Sequence, residues 1–332
     1  MRHHHSSDGH SEHEHVHGVV NPALLSSKRG IWAAKWSFAG LMITAVLQVV
    51  IVLYTGSVAL LADTIHNFGD AFTAIPLWIA FRFAQLKASK SFPYGYGKVE
   101  DLAGAIVVLL ILFSAVVAGY ESIERILNPQ PVSHVGAIAV AAIVGFLGNE
   151  LVAMFLIRVG KEIHSAALIA DGYHARVDGF TSLAVLGSVL GIGLGFPLAD
   201  PIVGLAITAL IVRILWSAAK AVFIRMLDGV DPDLLDEIRH AIRHIEGVVA
   251  ASEVRARWIG HWLQGEVNLA VAPGLSVREA HTVGNEARHA ILHHVPYLSN
   301  VIIHVDPAGT SGEAFHRIAQ HEHDGLEPHS HP

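Results

Sequence analysis

Two apolar stretches of the chain carry the same ionisable pattern. The first reads Ala62-Asp63-Thr64-Ile65-His66-Asn67-Phe68-Gly69-Asp70-Ala71-Phe72-Thr73. The second reads Ala170-Asp171-Gly172-Tyr173-His174-Ala175-Arg176-Val177-Asp178-Gly179-Phe180-Thr181, so that at an offset of 108 the Ala, Asp, His, Asp, Phe and Thr coincide. On a helix, His and Asp at i and i+4 project from one face, and the Asp at i−3 joins that stripe. His66, Asp70, His174 and Asp178 together offer two imidazoles and two carboxylates, four ligands whose two negative charges match a divalent cation. Nitrogen and oxygen donors in a tetrahedron fit Zn2+ best, with Co2+, Ni2+, Fe2+ and Mn2+ as alternatives. A carboxylate at the bilayer centre costs roughly 2.5–3.5 kcal/mol, which a cation between the two stretches would offset. The plainer readings are polar contacts between helices, or a proton relay without metal. Asp63 and Asp171 exceed the four ligands and read as groups behind the ligands or on a proton path, with a purely structural role as the alternative.

The elements that must hold these residues are membrane helices. Of 332 residues, 52% are apolar and 15% charged, against about 25% charged in soluble domains; the mean hydropathy is +0.47. A water-soluble enzyme, a disordered protein and a nucleic-acid binder are all disfavoured, and the net charge of −7 gives no basic footprint. The lack of cysteine removes disulfides, thiolate metal sites, Fe–S clusters and thiol nucleophiles. Histidine, at 24, outnumbers Lys and Arg combined at 22. Trp36 to Ala62 carries no charge and is broken only by Tyr54-Thr55-Gly56-Ser57, giving one span and the start of a second that runs to about Phe81. Further spans are expected at Leu102–Tyr120, His134–Ile157, Ser165–Leu194 and Pro201–Val222. Lys and Arg gather before span 1 and in the 2–3, 4–5 and post-6 segments, which places both termini in the cytoplasm. Three helices per repeat is an odd number, so the copies insert in opposite senses, an inverted repeat with its site near the midplane.

The flanks differ. Residues 1–30 hold seven histidines before Val19; this segment has no apolar core, does not read as a signal peptide and is expected to be disordered. The membrane domain covers 31–225. From about 226 to 308 the pattern becomes helix (Asp233–His244), strand (Val248–Trp258), strand (Trp262–Val271), helix (Ser276–His294), strand (Asn300–Val305), an αββαβ α+β domain. The tail, 309–332, is polar and His-rich, and disorder is expected.

The duplicated His-x-x-x-Asp resembles the cation diffusion facilitator family of metal/proton antiporters. So do the connector Pro93-Tyr94-Gly95-Tyr96-Gly97-Lys98-Val99-Glu100 and the segment Val301-Ile302-Ile303-His304-Val305-Asp306-Pro307. The resemblance implies six transmembrane helices, a ferredoxin-like cytoplasmic domain, a homodimer in the lipid bilayer of the cell membrane, and efflux of Zn2+ or a similar ion against protons. It carries the transport site onto His66, Asp70, His174 and Asp178, with His at both first positions resembling zinc-type members. Manganese-type members tend to carry a carboxylate in span 5. It further implies a cytoplasmic metal site from His281, His304 and Asp306; where relatives place further histidines this chain has Ser252 and Glu266, of which Glu266 can still ligate, and His261 lies nearby, with plain surface histidines as the alternative. It also implies a charge pair of Lys98 with Asp228 at the dimer interface. Where some relatives bind metal at the 2–3 connector, Phe92 and Tyr96 stand here, so that site is expected to be absent.

The remaining features weigh less. His240 and His244 form an i,i+4 pair that reads as a solvated face. Arg176 lies off the His174 face and needs a membrane partner, for which Glu150 is the candidate. With no His-Glu-x-x-His and no phosphate-cradling loop, an embedded metallohydrolase or nucleotide-driven pump is disfavoured and no enzyme is expected. A membrane metal sensor is the remaining rival.

Overall fold

The computed structural model describes residues 22–55, 58–127, 135–196, 199–295, 297–312, 318–321 and 329–331. Among the described residues the apolar part forms α1 (Pro22–Thr55), α2 (Val58–Ala71), α3 (Ala74–Ala84), α4 (Lys98–Leu127), α5 (Val135–Glu162), α6 (Ala166–Gly193) and α7 (Ala199–Met226). Helices α4 to α7, of 28 to 30 residues, are about 42–45 Å long and exceed a ~30 Å hydrocarbon core. Long apolar windows lie in α1, α4, α5 and α7. The other two crossings stand apart for a reason: α6 carries Asp171, Arg176 and Asp178 within its apolar run, and the second crossing is two helices each too short to span. Large apolar side chains point outward, with Leu53 79%, Phe113 64% and Trp216 74% exposed. Such a surface is stable against lipid rather than water.

The second crossing was expected as one helix and is broken at Phe72–Thr73. Pro76 has no N–H for the Phe72 carbonyl four residues back, and its ring crowds that oxygen. The chain tightens instead: Phe72 N–H reaches the Gly69 carbonyl at 3.0 Å, Thr73 N–H that of Asp70 at 3.0 Å, and Ile75 N–H that of Phe72 at 3.0 Å. The repeat partner of Pro76 is Ala184, and α6 runs through unbroken. Between α5 and α6, His164 takes a left-handed conformation (φ 56°). Ser165 then caps α6, its hydroxyl accepting Leu168 N–H at 3.1 Å.

After α7 comes the αββαβ unit: α8 (Pro232–Ile242), β1 (Val248–Ile259), β2 (Trp262–Val271), α9 (Val277–His294) and β3 (Leu298–Pro307). Asp231 caps α8 ahead of Pro232, and Ser276 with Glu279 forms a capping box on α9. The sheet order is β1-β2-β3, with β1/β2 antiparallel and β2/β3 parallel. Leu234, Ile238, Leu263, Leu269, Ile291 and Val301 form its core. In the tail, where disorder was expected, β4 (Ile318–His321) and β5 (His329–His331) pair antiparallel. A backbone ladder needs no apolar face, so composition does not announce it. The N-terminal His run lies outside the described residues.

Candidate metal centre

Asp70, His174 and Asp178 converge deep in the helix bundle. Their donor atoms lie within 4.8 Å of one another. His174 Nε2 is 3.8 Å from Asp70 Oδ1, and His174 Nδ1 is 3.7 Å from Asp178 Oδ2. Among the described residues this is the one group of three His, Asp or Glu close enough to share an ion. Tetrahedral donors 2.0–2.1 Å from Zn2+ stand ~3.3 Å apart, so with one nitrogen from His174 and donors up to 4.8 Å apart, binding would draw the set in by as much as ~1.5 Å. All three residues are at least nine-tenths buried. Leu41 of α1 and Leu156 of α5 wall the site with Ala175, and such apolar walls strengthen electrostatic attraction to a cation. His66 stands one turn before Asp70 in α2, and Asp63 one turn before that; the side chains of both lie outside the described residues.

Asp171 lines the same pocket but stands outside the group of three. Its Oδ1 accepts the Thr73 hydroxyl at 3.0 Å. The same hydroxyl is 2.8 Å from the Asp70 carbonyl, and in the other repeat Thr181 reaches the Asp178 carbonyl at 2.8 Å. The sequence repeat thus reappears as a repeated hydrogen bond. Thr73 was legible only as a coinciding letter; it stands at the break between α2 and α3, where its hydroxyl meets Asp171. A second unforeseen support is Gln48 of α1, 1% exposed, whose Oε1 accepts Asn67 Nδ2 at 2.7 Å and so ties α2 to α1 beside the site. Arg176 has the partner expected for it: Nε and Nη2 reach the two oxygens of Glu150 at 3.0 and 2.7 Å, a bidentate pair between α6 and α5.

Residues 34–227 match the model of the cation efflux transmembrane domain, and residues 230–308 that of the cation efflux protein cytoplasmic domain. The chain belongs to the cation diffusion facilitator family. It is therefore a cation efflux transporter with a membrane helical domain and a C-terminal cytoplasmic domain. A Mycobacterium tuberculosis protein named "Probable cation efflux system protein" is 54% identical over 289 residues, 87% of either chain. Magnetosome protein MamB of Magnetospirillum gryphiswaldense is 29% identical, covering 82% of this chain and 92% of its own. Manganese efflux system protein MneP of Bacillus subtilis is 28% identical, covering 76% and 87%.

The cytoplasmic residues do not assemble as the family resemblance implied. His304 Nε2 and Asp306 Oδ1 are adjacent at 3.0 Å, and Asp306 also accepts from Ser311 and Gly312. Alternation along β2 and β3 puts Glu266, His304 and Asp306 on one sheet face. Helix α9 lies over the other face, where Gly284 approaches Ile303 and Val305. His281, on α9, is consequently not with them; it is exposed and 3.0 Å from Asn285 Nδ2. His261 is further removed, 2% exposed in the β1–β2 turn and bound to Glu100 of the membrane domain. Lys98 and Asp228 do pair, at 2.8 Å, but within one chain. The left-handed turn at Asp228 (φ 58°) brings it back to the start of α4. His240 and His244 are exposed on α8 and its end, ring centroids 6.0 Å apart.

Proposed function

We propose that the protein exports cytoplasmic Zn2+ in exchange for protons by alternating access, through a site made of His66, Asp70, His174 and Asp178. The observation that carries this is the convergence of Asp70, His174 and Asp178, from both sequence repeats, within 4.8 Å in a buried, apolar-walled pocket. His66, one turn before Asp70 as His174 is before Asp178, supplies the fourth donor. Metal arriving from the cytoplasm displaces protons from the imidazoles, whose ordinary pKa near 6.5 suits that competition. A tilt of helices then opens the site outward, where protons release the metal. Asp63 and Asp171 serve the proton path. Both termini are cytoplasmic, as an even number of crossings and the Lys and Arg distribution support. The working unit is a homodimer, supported by the match of the C-terminal region to a domain model named for dimers. Of the residues considered for a cytoplasmic metal site, His304 and Asp306 are the adjacent pair, with Glu266 on the same sheet face. Zn2+ is favoured by imidazole at both first positions of the repeat.

The test is Zn2+-driven proton flux in proteoliposomes. Asp178→Ala abolishes it while the protein still inserts; undiminished flux rules out the site. A second reading, Mn2+ as cargo, is favoured by the relative named as a manganese efflux protein. The same flux measured with Zn2+, Mn2+, Co2+, Ni2+ and Fe2+ separates the two.

A further inference from the structure

The turn between β1 and β2 is pressed into the cytoplasmic face of the membrane domain. A Cβ on Gly260 would stand 2.7 Å from the Gly97 carbonyl, and one on Gly97 would stand 2.7 Å from the Ile259 carbonyl. The two backbones touch there, which is why the connector before α4 needs glycine. The next residue, His261, goes inside. Its Nδ1 is 2.5 Å from Glu100 Oε2 on α4, its Nε2 3.1 Å from the Ser27 hydroxyl on α1, and its ring 5.6 Å from that of Phe81 on α3. One cytoplasmic side chain therefore reaches three membrane helices. From α7, Arg225 approaches the Gly260 carbonyl at 3.4 Å.

A buried His–carboxylate pair is a poor source of stability, since desolvation consumes most of the attraction; its value lies in fixing a geometry. Phe81 is fully buried, and α3, only 11 residues, is about 16 Å of stiff rod. From Phe81 that rod runs back about eight residues, ~12 Å, to the break at Phe72–Thr73. At that break Thr73 holds Asp171, and Asp70 lies just before it. A displacement at His261 is thus delivered where the two halves of the metal centre meet.

We propose that His261 is a positioning residue for transport: clamped by Glu100 and packed on Phe81, it sets the cytoplasmic end of α3 and thereby the approach of Asp70 to His174 and Asp178. This rests on the export reading above. The experiment reconstitutes full-length wild type, His261→Asn, His261→Leu and Glu100→Gln in vesicles and follows Zn2+-driven proton flux, with Zn2+ titration of the same proteins in detergent. His261→Leu lowers maximal flux about tenfold, an ordinary size for coupling between sites. Half-saturation for Zn2+ rises as the approach of Asp70 loosens, while binding stoichiometry stays at the wild-type value. His261→Asn, whose amide still donates to Glu100, recovers most of the flux. Wild-type flux in His261→Leu overturns the proposal. So does an equal loss in His261→Asn and His261→Leu that tracks a lowered unfolding temperature, the mark of a merely structural role. Should His261→Leu not insert, Glu100→Gln decides: reduced maximal flux with a raised half-saturation supports the proposal, and unchanged flux overturns it. A wild type that moves no divalent cation would instead defeat the export reading itself.

Discussion

The Thr73 hydroxyl has one proton and two acceptors in reach, the Asp70 carbonyl at 2.8 Å and the Asp171 carboxylate at 3.0 Å. It stands between the broken backbone and a buried charge, whereas Thr181 serves only its own turn at Asp178. Thr73→Val removes a bond worth about 0.5–1.5 kcal/mol. Zn2+ affinity measured by calorimetry falls roughly 2- to 10-fold, and less for Thr181→Val; equal effects would refute the distinction. Glu150→Ala leaves the Arg176 guanidinium without its bidentate partner, between the exposed and the buried case. The expected loss is about 1–3 kcal/mol in detergent unfolding. His174, Asp178 and the Arg176–Glu150 pair were legible in the sequence because an ionisable group in an apolar run must have a partner. The destination of His261 was not, because its partner Glu100 lies 161 residues away and no local pattern records that.

At the level of elements, periodicity and charge located the membrane crossings and the αββαβ order, but the division of the second crossing into α2 and α3 was not read. The signal was present in Pro76; a hydropathy window averages over it, while the hydrogen-bond ladder does not. Pro76→Ala restores an N–H for the Phe72 carbonyl and lets α2 and α3 join. Proton flux falls while the purified protein retains its helix content by circular dichroism; unchanged flux would mean the break is incidental. Close packing gives a second test. A Cβ on Gly172 would stand 3.0 Å from Ile157 N and 3.1 Å from the Ala153 carbonyl, backbone atoms of α5. Gly172→Ala therefore pushes α6 off α5 and lowers the unfolding temperature. Small residues at such crossings are what allow membrane helices to approach.

For the whole molecule, the junction of the two domains responds to acid through His164. Its ring lies 4.5 Å from that of Tyr297 and 6.2 Å, stacked, from that of Trp258, while Arg225 lies 4.1 Å over the Trp258 ring. Burial, and secondarily the Arg225 guanidinium, holds the His164 imidazole below its usual pKa. The docked state therefore prefers neutral His164. Its contribution is complete above pH ~6.5 and is lost as pH falls through the lowered value. Tryptophan fluorescence between pH 7.5 and 5 reports the loosening, and His164→Gln flattens the profile; an unchanged profile would exclude His164 as its source. The cytoplasmic fold was legible in the sequence, yet this junction was not, since rings from the α5–α6 turn, β1 and the residue before β3 meet only after folding.

A proline in one copy of a duplicated unit and an alanine in the other make one arm of the molecule jointed and the other stiff. Perfectly matched arms would give conformations open to either side equal weight. Under the alternating access proposed above, unequal arms would not, and a resting tilt toward one side would follow from the single joint.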